Sequence, residues 1–293
     1  MSDSIEDIIK SIRPQQWSKN LLLFAGLLFS HRLLSLVLLA KVVAAFGIFC
    51  LLSGAIYIIN DLVDLKKDQQ HPLKRLRPIA AGKLSVSLAK KAAAILFIGS
   101  LALAYKLDVR FALICLGYAG MMLSYSFYLK RIAILDVIVI SLGFVLRAVA
   151  GVVAIRVEVS PWLLVCTLFL SLFLVLSKRR HELMLLGSGA NNHRQSLSQY
   201  SPHLLDQMIA VVTGSTLIAY ALYTLAPRTT AMVGSSSLMV TIPFVIFGIF
   251  RYLYLVYEGN QGGNPEIVII SDKPLVIDVA LWVMVVILIL YFF

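Results

Sequence analysis

The chain has 293 residues, 60% of them hydrophobic and only 14% charged, with a formal net charge of +11. Soluble domains carry nearer a quarter of their residues as charges, so this composition excludes an ordinary water-soluble globular protein and points to lipid as the solvent. The positive charge does not indicate nucleic acid, because the basic residues fall in short loops tied between apolar segments.

A helix needs about 20 mainly apolar residues to cross the hydrocarbon core. In chain order the segments that satisfy this are 36–59, 86–105, 111–128, 134–155, 161–177, 205–226, 238–257 and 275–293. Ahead of them, Leu21 to Phe29 is short for a span and pairs as a hairpin with the next one across Ser30-His31-Arg32. The expected architecture is an all-α polytopic membrane bundle of about nine transmembrane helices, forming one domain over 1–293. The first 20 residues are polar and include Asp3, Glu6 and Asp7, so no cleavable signal peptide is expected. Most of the 26 basic residues lie in the N-terminus and the loops near 60–91, 128–136, 178–204 and 258–274. That asymmetry predicts a multi-pass protein of the plasma (inner) membrane with this face cytoplasmic. Cys50, Cys115 and Cys166 stand singly in apolar segments, which suggests neither a disulfide framework nor a zinc site.

The strongest motif is NDLVDLKKD, Asn60 to Asp68. On a helix, Asp61, Asp64 and Asp68 at i, i+3 and i+7 share one side. Aligned carboxylates repel unless a cation lies between them, and hard oxygen ligands suit Mg²⁺ shared with substrate phosphates. The plain alternative is a solvated helix end. Directly after it, HPLKRLRPIAAG supplies Lys74, Arg75 and Arg77, cations suited to phosphate oxygens, on a loop stiffened by Pro72 and Pro78. A loop on the basic face carries such residues anyway. His71 lacks a second His at ligand spacing and is not expected to bind metal.

YSFYLKRIAILD contributes Tyr125, Lys130, Arg131 and Asp136, and Arg147 follows inside the next span. An Arg in a span faces a partner or a polar cavity, so a structural ion pair and a substrate contact both stay open. KRRHELMLLGSGANNHRQSLSQYSP carries Lys178, Arg179, Glu182, Arg194 and Tyr200, a donor-rich loop suited to a phosphate and sugar hydroxyls, or simply a polar connector. In RPQQWSKN, Trp17 reads as an interfacial anchor and Lys19 as a side chain that snorkels or reaches a headgroup. EGNQGGNPEIVIISDKP permits close backbone approach but is weak by itself.

Together NDLVDLKKD and KRLRPIAAG resemble the first signature of the UbiA superfamily of intramembrane prenyltransferases. RPQQWSKN, HPLKRLRPIAAG, YSFYLKRIAILD and SKRRHEL, in that order over nearly the whole chain, are similar to its decaprenyl-phosphate phosphoribosyltransferase branch. The resemblance implies a single UbiA-like domain, a nine-helix bundle around a central cavity capped by cytoplasmic loops, and Mg²⁺ held by Asp61, Asp64 and Asp68. The superfamily's second DxxxD motif is matched here only by Asp136, since Ile132 stands at its first acidic position, which argues against a symmetrical two-motif metal site. The implied reaction moves a 5-phosphoribosyl group from phosphoribosyl diphosphate to a polyprenyl phosphate and releases diphosphate, for cell-envelope glycan precursors. Asp61, Asp64 and Lys130 are the expected catalytic groups. Substrate contacts are expected from Lys19, Asn60, Lys74, Arg75, Arg77, Tyr125, Arg131, Asp136, Arg147, Lys178, Arg179, Glu182, Arg194 and Tyr200. The rivals are an aromatic prenyltransferase with a polyprenyl diphosphate donor, and a lipid transporter without chemistry. Partners are the two substrates and the bilayer, with no nucleic acid, and homo-oligomerisation stays open.

Overall fold

The structure is a computed structural model that describes residues 2–30, 32–186, 196–259, 262–263 and 265–292, and all regular structure among them is helical. In chain order it runs α1 (Ser2–Ser11), a 3-10 stretch (Pro14–Phe24), α2 (Ala25–Phe29), α3 (Leu36–Val63), α4 (Leu65–Gln70) and α5 (Val86–Leu107). It continues with α6 (Val109–Phe127), α7 (Leu135–Ala154), α8 (Pro161–Leu186), α9 (Pro202–Leu225), α10 (Pro227–Val233), α11 (Ile242–Tyr257), α12 (Pro265–Ser271) and α13 (Lys273–Phe292). Among the described residues, α3, α5, α6, α7, α8, α9, α13 and α11 with its 3-10 turn from Ser237 are long and apolar enough to cross a membrane.

Helix starts follow local chemistry. Ser85 accepts the Leu88 N–H at 3.3 Å, and one oxygen of Asp108 accepts the N–H groups of Arg110 and Phe111 at 2.7 and 3.2 Å. Ser201 accepts the Leu204 N–H at 3.1 Å ahead of Pro202. Gly82, at φ 74°, supplies the left-handed turn that leads into α5. The observed spans match the expected ones to within a few residues except α8. That helix runs past residue 177 to Leu186, carrying Lys178, Arg179 and Glu182 on helix rather than loop. An Arg179–Glu182 ion pair at 2.5 Å, three residues apart, supports the extra turns.

The chain divides into two compact units, residues 1–159 and 160–293. In the first, α3 packs along α5 and α6, while α7 packs on α6 and on the N-terminal segment. Leu27, Phe49, Phe111 and Tyr118 anchor its core. The N-terminal segment is not the simple short helix that its apolar stretch suggests. Its 3-10 part advances about 2.0 Å per residue and α2 about 1.5 Å, so 14–29 reaches about 30 Å, the thickness of a hydrocarbon core. It lies against α7 at Gly151, where an added Cβ would fall 1.9 Å from the Leu23 carbonyl oxygen.

Arg147 of α7 sits inside this unit, 4% exposed. It donates from Nε to Asn20 at 2.8 Å, from Nη1 to the Gly143 carbonyl at 2.9 Å and from Nη2 to the Tyr118 hydroxyl at 2.7 Å. Its guanidinium also lies 4.9 Å from the Tyr118 ring centroid and 5.4 Å from that of Phe144. Asn20 in turn donates to Ser53 at 3.3 Å. Among the described residues its hydrogen-bond partners are neutral, so the ion-pair reading is not met. It pins the N-terminal segment to α6 and α7.

In the second unit α8 lies along α9, and α11 along α13. Tyr220 of α9 shares a 2.7 Å hydrogen bond with Thr241 and accepts the Trp282 indole N–H of α13 at 2.9 Å. Phe173 of α8 meets Tyr252 of α11 edge-on at 5.4 Å.

Gly151→Ala forces the N-terminal segment off α7 and is expected to cost about 2 kcal/mol or more. Arg147→Lys, which keeps the charge but loses the three-way fan of donors, is expected to cost about 2 kcal/mol. Thermal unfolding of the detergent-purified protein checks both, and a wild-type melting temperature for either variant contradicts the packing described.

Candidate active site

At one end of the first unit three acids meet three cations, each delivered by a different segment. Asp61 is in the last turn of α3 and only 3% exposed. The helix does not run on through the motif. Asp64 caps α3, its N–H donating to the Asn60 carbonyl at 2.9 Å, and α4 restarts at Leu65. The Asp64 carbonyl accepts the N–H groups of Lys67 and Asp68, both at 2.9 Å, which turns Asp68 back into the protein, 4% exposed.

This break corrects the expectation of three carboxylates on one uninterrupted face. Asp61 and Asp68 do converge: Nη1 of Arg77 donates to Asp61 Oδ1 at 3.0 Å and to Asp68 Oδ2 at 2.6 Å. Asp64 turns to Lys130, whose ammonium reaches its two oxygens at 2.7 and 2.6 Å. Among the described residues no group of three or more His, Cys, Asp or Glu is assembled to hold a metal. What is present is a pair of hard carboxylates converging on one nitrogen. Each has a single oxygen engaged by Arg77, and that donor set fits a divalent ion taking one or two carboxylates and completing its shell with phosphate oxygens and water.

Arg13 is the third cation, and little in the residues around it marks it as one. It stands between α1 and the 3-10 stretch at φ 54°, a left-handed conformation that a residue with a Cβ rarely adopts. Its guanidinium bonds Asp61 Oδ1 and lies 5.1 Å from the centroid of the Tyr57 ring, one turn earlier on α3. Backbone strain of this kind concentrates where a side chain must be aimed. A basic residue before Pro14 was the only local signal, and its partner lies 48 residues away.

The other residues of the motif divide between this network and its surroundings. Arg77 arrives on the loop between α4 and α5, where His71 Nδ1 accepts the N–H groups of Leu73 and Lys74 at 3.2 and 3.3 Å. His71 therefore caps a turn through its Nδ1. Lys74 and Asn60 are half-buried, whereas Arg75 is exposed. Lys130 sits on a 3-10 turn, Leu129–Arg131, with Arg131 exposed. Asp136, in the first turn of α7, is fully buried, and Tyr125 is 9% exposed. Lys19 is half-buried in the 3-10 stretch.

In the second unit Arg179, 2% exposed, is committed to Glu182. Next to it Arg180 pairs with Asp206 at 2.5 Å and stacks 3.9 Å from the centroid of the Tyr257 ring, whose hydroxyl donates to the same Asp206 oxygen at 2.8 Å. Asp206 and Tyr257 were not anticipated, since a lone acid at a helix start carries no motif. Lys178 is half-buried and Tyr200 buried. Arg194 lies outside the described residues.

Comparison with known proteins follows this geometry. The family model described as the UbiA prenyltransferase family matches residues 21–268. A decaprenyl-phosphate phosphoribosyltransferase of Mycobacterium tuberculosis is 35% identical over 95% of this chain and 92% of its own length. The enzyme of the same name from Corynebacterium glutamicum is 35% identical over 98% of this chain and 87% of its own. Among solved structures, a UbiA homologue from Archaeoglobus fulgidus bound to GPP and Mg²⁺ superposes with a TM-score of 0.72, covering 97% of this chain and 99% of that one at 20% identity.

Proposed function

The chain belongs to the UbiA prenyltransferase family, and on that premise we propose that it is a polyprenyl-phosphate phosphoribosyltransferase. It transfers 5-phosphoribosyl from phosphoribosyl diphosphate to a polyprenyl phosphate of the decaprenyl type and releases diphosphate. The product is a precursor for cell-envelope glycan. Residues 1–293 act as one transferase domain in the plasma membrane, with the acid cluster at the cytoplasmic face. The observation that carries this reading is the convergence of Asp61 and Asp68 on Arg77, flanked by the Lys130–Asp64 pair.

The bond between ribose C1 and the diphosphate oxygen breaks, and the departing diphosphate keeps the electron pair. A bond forms between C1 and an oxygen of the lipid phosphate. Asp61 and Asp68 would hold Mg²⁺, with Asp64 joining them if its pair with Lys130 opens. Such an ion supplies Lewis-acid stabilisation to a leaving diphosphate. Arg13, Arg77 and Lys130 place three more positive charges at the same end of the first unit, and fixed cations of this kind stabilise negative charge as it develops. The acceptor needs no protein base, because a phosphate monoester with a second pKa of about 6 is already largely ionised near neutral pH. That agrees with the cluster itself, where His71 is turned to backbone N–H groups. Of the residues expected at the donor's 5-phosphate and ribose hydroxyls, Arg179 and Glu182 are paired with each other.

The purified protein, given radiolabelled phosphoribosyl diphosphate, decaprenyl phosphate and Mg²⁺, is expected to form a labelled lipid. Chelator should abolish the product and added Mg²⁺ restore it. Asp61→Asn and Asp68→Asn should each lower the rate by about 100-fold or more. Product formation undiminished in chelator, or no labelled lipid from phosphoribosyl diphosphate while an aromatic acceptor is prenylated from a radiolabelled prenyl diphosphate, overturns the assignment.

A further inference from the structure

Asp61, Asp64 and Asp68 are paired with Arg13, Arg77 and Lys130, so three acids meet three cations in the cluster. A divalent ion entering alone would have to displace a guanidinium and leave it, partly buried, with no anion to pair with. Removing one partner from such an ion pair is costly. The three cations differ in how they are held. Arg13 is fixed by its left-handed backbone and its packing on Tyr57. Lys130 spans both oxygens of Asp64. Arg77 has an anchored backbone, its N–H donating to the Lys74 carbonyl at 3.0 Å and its carbonyl accepting the Ala81 N–H at 2.8 Å. Its side chain is 26% exposed, as is that of Arg13, but its Nη1 bonds both Asp61 and Asp68, whereas the Arg13 guanidinium bonds Asp61.

We propose that Arg77 is a placeholder cation. It holds Asp61 and Asp68 together in the metal-free protein, yields its place between them to the divalent ion, and transfers its guanidinium to the diphosphate that arrives with the ion. The inference rests on Asp61 and Asp68 being the metal ligands, as proposed above. It makes metal binding conditional on diphosphate: the ion alone competes with Arg77, whereas the ion with diphosphate gives the displaced Arg77 a partner. The bridge also keeps the two carboxylates together between turnovers, so they need not separate once product leaves.

The test uses the full-length protein in detergent, with Mn²⁺ binding followed by electron paramagnetic resonance and thermal melting confirming that each variant is folded. Arg77→Gln is expected to bind Mn²⁺ alone about tenfold more tightly than wild type, because the competitor is gone, and the preformed manganese–diphosphate complex about tenfold more weakly. Arg77→Lys, which keeps a cation at the end of the side chain, should stay within about threefold of wild type for Mn²⁺ alone. Unchanged or weaker Mn²⁺ binding by Arg77→Gln overturns the proposal, as does equal tightening in Arg77→Lys. Asp61→Asn and Asp68→Asn separate this inference from the reading beneath it. If both bind Mn²⁺ as wild type does, the metal assignment itself fails; if both lose it while Arg77→Gln shows no gain, only the placeholder role fails.

Discussion

Charge neutrality at the end of an apolar bundle is the constraint from which the candidate site is built. Asp61 and Asp68 are almost wholly removed from water, and an ionised carboxylate survives there only with a cation beside it. The chain meets this demand with residues drawn from three places: Arg13 before the N-terminal segment, Arg77 in the loop after the motif, and Lys130 between α6 and α7. The acids therefore fix where these segments lie as much as the segments fix the acids. The loop from His71 to Pro78 has little regular structure beyond one 3-10 turn at Lys74–Leu76, yet its Arg77 is tied to two elements, α3 and α4.

Membrane spans are legible in a sequence because the bilayer sets both their length and their composition, and the eight long helices lie where apolar runs of that length predict. Capping chemistry sharpens the starts at Ser85, Asp108 and Ser201. What the runs do not show is where helix persists beyond the lipid. The end of α8 is polar, and the Arg179–Glu182 pair that extends it looks no different in sequence from a charged connector. The segment 14–29 is similar: its apolar part is short, and only the 3-10 winding reveals how far it reaches.

The site was legible as chemistry and less so as geometry. The spacing of Asp61, Asp64 and Asp68 marks an acidic motif at a span's end, but it assumes an unbroken helix. The break at Asp64 sends the middle acid to Lys130 and leaves the outer two together. Long-range partners are the harder part. Nothing near Arg13 names Asp61, and nothing near Arg147 names Asn20, since each pairing is made by tertiary packing across many residues. Arg147 shows how a charge in a span misleads: the cost of burying it is met by amide, hydroxyl, carbonyl and aromatic faces, and the result is a fastening within the bundle.

That fastening bears on the order in which the protein assembles. Asn20 and Arg147 are 127 residues apart. At a synthesis rate of about 5–20 residues per second, the N-terminal segment exists for roughly 6–25 seconds before its main polar partner leaves the ribosome. During that interval the Asn20 amide has Ser53 of α3 to donate to, but its oxygen has no guanidinium to accept from. The contacts of this segment with Arg147 and Gly151 form only after α7 has been made. The same segment carries Arg13 toward Asp61, so the acid cluster and the Arg147 fastening depend on one docked stretch of chain.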